Sequence, residues 1–260
     1  MAIVYNTFMD ARGMGKEERQ LLEEKYGGDA AAAGFTEDRA RLAAGEPLAY
    51  VIGWQPFLGL SIYLDSKPLI PRPETEWWTE ELIRHLKERF GGSTLRLLDL
   101  CAGSGAIGAA VLAALPNARA AFGELRPEHA ATIEKNLRAG GIDAARADVR
   151  IGDVFEPFAG ERFDIIAANP PYIPEIRTLA SSVAGYEPRE ALYADADGLG
   201  VIRRIATGAA AHLNPGGELW MECDIDNAGA ARDLLVAHGA QRAELRTDLY
   251  GRPRLAIGYY

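Results

Sequence analysis

Cysteine is scarce in this chain: two residues, Cys101 and Cys223, among 260. Neither belongs to a Cys-x-x-Cys pair or a Cys/His cluster, which excludes a disulfide framework and a zinc module. Each lies inside an apolar run and reads as a small core hydrophobe, and no metal site is expected. Basic runs are missing too. Lys and Arg total 28 against 37 Asp and Glu, a formal net charge of −9, so no stable grip on nucleic acid is expected. The longest apolar helix candidate, Ala106 to Leu115, is half of the roughly 20 residues a membrane span needs. The opening MAIVYNTFMDARGMGKEER lacks the basic, apolar and small-residue order of a secretory leader. With no internal repeat or low-complexity tract, the expectation is a soluble, cytoplasmic chain.

What is present is ordinary globular composition, 48% hydrophobic and 25% charged. At about 150 residues per domain, that length gives one large domain, or one with a small appendage. Residues 1–49 read as short polar helices, Lys16–Tyr26 and Thr36–Ala44, with Thr36 as N-cap of the second. Ala49 to Leu64 is aromatic and β-branched, punctuated by Gly53 and Gly59, and predicts a hairpin. Pro68, Pro71 and Pro73 stiffen a connector into an amphipathic helix that Gly91-Gly92 ends. From Leu95, strand and helix patterns alternate, which predicts a parallel sheet covered on both faces. Two closing strands, joined at Tyr250-Gly251-Arg252, predict an antiparallel hairpin at its edge.

The first strand-to-helix turn of that region reads Asp99-Leu100-Cys101-Ala102-Gly103-Ser104-Gly105-Ala106-Ile107-Gly108. Gly103, Gly105 and Gly108 satisfy G-x-G-x-x-G, and Glu124 follows after the next strand, where a carboxylate takes ribose hydroxyls. Alone, this motif serves a nicotinamide dinucleotide and an adenosine-containing methyl donor equally well. Asp153, after the third strand, could accept from an adenine amino group while Val154 and Phe155 line the ring.

The fourth strand ends in Asn169-Pro170-Pro171-Tyr172, which no dinucleotide enzyme needs. Both prolines lock φ and lack N–H groups, and Pro171 keeps Pro170 out of the helical region. The backbone there offers only carbonyl oxygens, and Asn169 adds a side-chain carbonyl. The Asn169 Oδ1 and the Pro170 oxygen form a rigid pair of acceptors for a planar NH2 group, with Tyr172 beside them. Holding both N–H bonds fixes the nitrogen and stabilises charge developing on it during methyl transfer. An amide or an adenine amino group in DNA or RNA would fit that description, the base being flipped into the site.

These segments, with GEPLAYVIGWQPFLGL (Gly45–Leu60), LIPRPETE (Leu69–Glu76), YEPREALYADADGLG (Tyr186–Gly200) and DLYGRPRLAIG (Asp248–Gly258), resemble the release factor glutamine methyltransferases. The resemblance implies a Rossmann-like seven-stranded α/β fold, with a small helical substrate-docking domain at 1–48, a hairpin linker at 49–72 and the methyltransferase domain at 73–260. It implies S-adenosylmethionine, converted to S-adenosylhomocysteine, bound by Cys101, Ala102, Gly103, Ser104, Gly105, Glu124, Asp153, Val154, Asn169 and Thr75. Pro71 to Glu76 would line the methionine end of that cofactor. The substrate glutamine amide would lie on Asn169, Pro170, Pro171 and Tyr172, with Asn169, Pro170 and Tyr172 catalytic. The partner implied is a peptide chain release factor, methylated in its Gly-Gly-Gln tripeptide by a monomeric enzyme. Three local departures stand out. Cys101 replaces a glycine, which suits a negative φ; Glu124 replaces the usual Asp; and Glu222-Cys223-Asp224 with Asn227 replace Glu-Ile-Gly and a nearby Gln.

Overall fold

The computed structural model describes residues 13–260; the first twelve residues of the expected 1–48 segment lie outside the described residues. Three helices open it, α1 (Lys16–Tyr26), α2 (Phe35–Ala43) and α3 (Leu48–Ile52). Leu21, Leu22, Phe35, Val51 and Ile52 bury one another between them. The residue before α2 is Gly34, not the expected Thr36, because Phe35 must start the helix to drive its ring edge-on against Tyr26. The expected hairpin over Ala49–Leu64 is narrower than its sequence pattern. Leu48–Ile52 forms a helical turn that buries Tyr50, Val51 and Ile52 together, and tertiary burial overrides their β propensity. The antiparallel pair β1 (Trp54–Phe57) and β2 (Leu60–Tyr63) follows.

Helix α4 (Pro73–Phe90) starts with proline in its first turn, where the missing N–H costs nothing, and stops at Gly91 in the left-handed region. Its buried residues Thr75, Trp78, Thr79, Leu82 and Leu86 recur every three or four positions, the stripe of a helix laid on a sheet. The strands and helices then alternate as expected: β3 (Leu95–Leu100), α5 (Ala106–Ala114), β4 (Ala118–Glu124), α6 (Pro127–Ala139), β5 (Ala147–Ile151) and β6 (Phe163–Ala168). The loop-rich stretch after β6 holds two one-turn helices, α7 (Ser181–Ala184) and α8 (Arg189–Leu192). Helix α9 (Gly200–His212), β7 (Leu213–Glu222), α10 (Ala228–Ala237), β8 (Arg242–Thr247) and β9 (Pro253–Tyr259) complete the chain.

The seven-stranded sheet runs in the order β5-β4-β3-β6-β7-β9-β8, parallel from β5 to β7. Strand β9 pairs antiparallel with both β7 and β8, so the hairpin enters the sheet by its second strand. That choice follows from burial: Leu255–Ile257 of β9 are fully buried, whereas β8 is polar and half-exposed and suits the edge. Alternate residues of β3 divide between two cores. Leu95 and Leu97 join Trp78, Leu82 and Leu86 on one face, and Leu98 and Leu100 join Ile202, Ile205 and Ala209 on the other. Chain order reverses direction between β3 and β6, and a doubly wound sheet opens its ligand crevice outside the strand ends at that switch. The glycine loop leaves β3 and Asn169 follows β6, so both motifs face the crevice from its two sides.

Candidate active site

A cleft of about 960 Å3 lies at the switch point. Cys101, Gly103, Glu124, Asp153, Val154 and Asn169 line it, as does Pro171. A second, smaller cavity of about 280 Å3 lies between Arg72, Leu179, Val183 and Leu192, with Tyr172 in its wall. Leu69, Asn169 and Ala191 border both. Asn169 therefore stands where the two chambers meet.

The glycine loop is shaped by close approach. Gly105 has φ +75°, and a Cβ there would lie 2.9 Å from Ile133 Cγ2; at Gly108 an added carbon would collide with the Phe122 ring, so helix α5 packs directly on β4. Cys101 does not have the negative φ its side chain prefers. It adopts φ +60°, and Val154 across the cleft adopts φ +51°. For side-chain-bearing residues this left-handed conformation costs on the order of 1 kcal/mol each, so both walls of the cleft hold strained backbone.

Glu124 ends β4 and is 6% exposed. Its Oε2 accepts the Gly103 N–H at 2.7 Å and its Oε1 accepts the Arg126 N–H at 2.9 Å. Each oxygen keeps a lone pair for a further donor. Asp153 pairs with Arg204 at 2.6 Å on the cleft wall. Phe155, expected beside Val154 against a bound ring, instead turns inward. It stacks on His212 at 4.3 Å and packs on Gly208, because α9 offers it a glycine-sized slot. His129 lines the cleft, with Nδ1 2.8 Å from the Ser66 hydroxyl, a contact that no sequence spacing signalled.

Asp99, beneath the loop, is fully buried; its Oδ2 accepts the Gly108 N–H at 2.8 Å and its Oδ1 has no partner among the described residues. Burial, with the Glu124 charge adding to it, pushes the carboxyl from 3.8 up to about 8. The native state thus holds a proton that the unfolded chain gives up. The stability this provides is present at acid pH and is lost as pH rises from 3.8 through about 8. Thermal melts of the wild type should therefore fall relative to Asp99→Asn between pH 5 and 8.5; parallel melting curves would contradict this assignment.

Around Asn169, Nδ2 donates to Thr75 Oγ1 at 3.1 Å. Among the described residues, neither Asn169 Oδ1 nor the Pro170 carbonyl receives a hydrogen bond. The Tyr172 hydroxyl donates to Glu222 Oε1 at 3.0 Å, and Glu222 Oε2 also takes the Thr75 hydroxyl and the Trp78 indole N–H, both at 2.7 Å. Burial pushes the Glu222 carboxyl up, against the pull of its three donors, and burial also raises the Tyr172 hydroxyl. Thr75, expected at the cofactor, is buried and outside the lining of the large cleft, because its hydroxyl is committed between Glu222 and Asn169. Nor do Ala102, Ser104, Gly105 and Pro170 contribute to that lining; they set the backbone path of the residues that do.

The connector before α4 is held from below. Glu187 receives the Ile70 N–H at 3.1 Å and pairs with Arg72, and the Tyr50 hydroxyl donates to the Pro68 carbonyl at 2.7 Å. Glu74 pairs with Arg252, and Glu76 receives the Leu58 N–H at 2.7 Å. Of the connector, Leu69 faces the large cleft and Arg72 the small one, and the segment Pro71 to Glu76 adds nothing to the large cleft.

The Methyltransferase small domain profile matches residues 76–184. A release factor glutamine methyltransferase of Bordetella pertussis is 40% identical over 229 residues, covering 87% of this chain and 83% of that protein. The chain belongs to the release factor glutamine methyltransferase family. A second member, from Moorella thermoacetica, is 37% identical over 92% of this chain and 83% of its own. Among solved structures, a methyltransferase from Pyrococcus furiosus superposes with a TM-score of 0.57 at 16% identity, over 86% of this chain and 98% of that one, a likeness of fold.

The cofactor of this methyltransferase family is S-adenosylmethionine, and the cleft suits it. Glu124 keeps a free lone pair on each oxygen for a vicinal diol, Gly103 carries no side chain into the cleft, and Val154, Leu125 and Val201 give it apolar walls for a purine ring. Among the described residues no helix is long and apolar enough to cross a membrane.

Proposed function

We propose that this protein methylates the side-chain amide nitrogen of the glutamine in the Gly-Gly-Gln tripeptide of a peptide chain release factor. The observation carrying this is Asn169 at the junction of the two chambers, whose Oδ1 receives no donor among the described residues, followed in the chain by the Pro170 carbonyl, which likewise receives none. A carboxamide NH2 has two donors, one for each of these oxygens. The smaller chamber, walled by Leu69, Leu179, Val183 and Leu192, suits the aliphatic stem behind that amide.

S-adenosylmethionine supplies an electrophilic methyl group on a sulfonium. Glu124 and the Cys101–Gly105 loop hold the nucleoside end, with Asp153 and Val154 at the base. Asn169 and Pro170 hold the amide nitrogen in place, with its lone pair free to face the large cleft, and they draw off positive charge as it develops. A general base is unnecessary, since the methylated nitrogen is acidic enough to release its proton to water. Residues 1–48 serve as the docking region, 49–72 as linker and 73–260 as the transfer domain of a cytoplasmic monomer that holds no nucleic acid stably. In an assay with methyl-labelled S-adenosylmethionine, a release factor should take up label, and the same factor with its glutamine changed to alanine should take up none. Equal labelling of the two sinks the proposal.

A further inference from the structure

A carboxamide has the same shape whichever way it is turned, so only hydrogen-bond polarity selects which end of Asn169 faces the substrate. That polarity is set by a chain of groups running back into the core. Glu222, at the end of β7 and 1% exposed, accepts at Oε2 from the Trp78 indole and the Thr75 hydroxyl, both at 2.7 Å. An indole N–H can only donate, so this oxygen accepts from Trp78, and as a carboxylate oxygen it has no hydrogen to give to Thr75. Thr75 has one hydroxyl hydrogen, and pointing it at Glu222 leaves only lone pairs for Asn169, 3.1 Å away. The Asn169 NH2 must then face Thr75, and its Oδ1 faces away.

We infer that Thr75 and Glu222 are positioning residues for methyl transfer, fixing the flip of the Asn169 amide so that its oxygen is presented to the substrate NH2. Without them, the NH2 end turns toward the substrate in part of the population and meets a second NH2, donor against donor. This rests on the proposed amide substrate for its kinetic consequence, but not for its structural one.

The test uses nitrogen-labelled protein, in which the Asn169 side-chain resonances are assigned by their loss in Asn169→Ala. In the wild type, one Asn169 Nδ2 proton should be shifted downfield and slow to exchange. Thr75→Val should abolish that signature and lower kcat at least tenfold, with the S-adenosylhomocysteine Kd changed less than twofold. Thr75→Ser, which keeps the hydroxyl, should retain both the signature and kcat within threefold of wild type. Glu222→Gln should behave as the serine variant does, since its carboxamide oxygen can still accept from Thr75 and Trp78 while its NH2 donates to the Tyr172 hydroxyl oxygen, which turns its own hydrogen away. A Thr75→Val protein that keeps the wild-type Asn169 signature overturns the inference, as does a serine variant as impaired as the valine one. Failure of the wild type to methylate glutamine would instead refute the proposed function, and the resonance arm would still decide the orientation of Asn169.

Discussion

Replacing Asn169 by alanine is expected to lower kcat by two orders of magnitude or more while the S-adenosylmethionine Kd changes less than threefold. Asn169 stands where the two chambers meet, and its amide nitrogen is already spent on Thr75. Losing Oδ1 leaves the substrate nitrogen held by the Pro170 carbonyl alone and free to rotate, so its lone pair faces the cleft only part of the time. A positioned polar group that acts on developing charge accounts for on the order of 100-fold or more, about 2.7 kcal/mol of barrier. Steady-state kinetics with calorimetry on the same preparation separates the alternatives. A collapse of cofactor affinity with kcat preserved at saturation would make Asn169 a cofactor ligand first. Asn169→Asp should also be poor. It keeps an oxygen toward the substrate, but places a second one against the Thr75 oxygen, whose hydrogen is already given to Glu222.

The donor-free turn after β6 was legible in the sequence because its logic is local. Two prolines after a strand dictate an extended, donor-free backbone wherever they occur, and the glycine loop likewise announces its own turn. The alternation from Leu95 onward gave away the sheet, since each strand and each helix carries its own period. What sets the polarity of Asn169 was not legible. Thr75 and Trp78 lie 147 and 144 residues from Glu222, and Tyr172 lies 50 from it. No periodicity connects them; only the β6–β7 pairing and the packing of α4 on the sheet do. Cys101 failed in another way. Backbone sign is not written in a residue that ordinarily avoids left-handed space, and here the loop's geometry imposes φ +60° on a side chain. Leu48–Ile52 went astray for the same reason as many short apolar segments: at five residues, burial on neighbouring helices decides between helix and strand.

Glu124→Ala should have the opposite kinetic pattern to Asn169→Ala, raising the cofactor Kd by roughly 10- to 100-fold with a much smaller effect on kcat at saturation. Hydrogen bonds to a charged group contribute about 1.5–3 kcal/mol each, which sets that range for loss of a ribose contact. The carboxylate has a structural job beside the proposed ribose one. It accepts the Gly103 and Arg126 N–H groups, so its removal also leaves two backbone donors unpaired beside the strained Cys101 turn. Titration with S-adenosylhomocysteine measures the affinity without chemistry, and an unchanged Kd would remove the ribose role. Glu124→Gln separates the two jobs further. An amide keeps the reach of the side chain but converts one oxygen into a donor, which must then face either the Gly103 or the Arg126 N–H. Both of those positions demand an acceptor. The glutamine variant should therefore bind cofactor more weakly than wild type despite its matching length. If it bound as tightly, shape alone and not acceptor polarity would be holding the loop and the ribose.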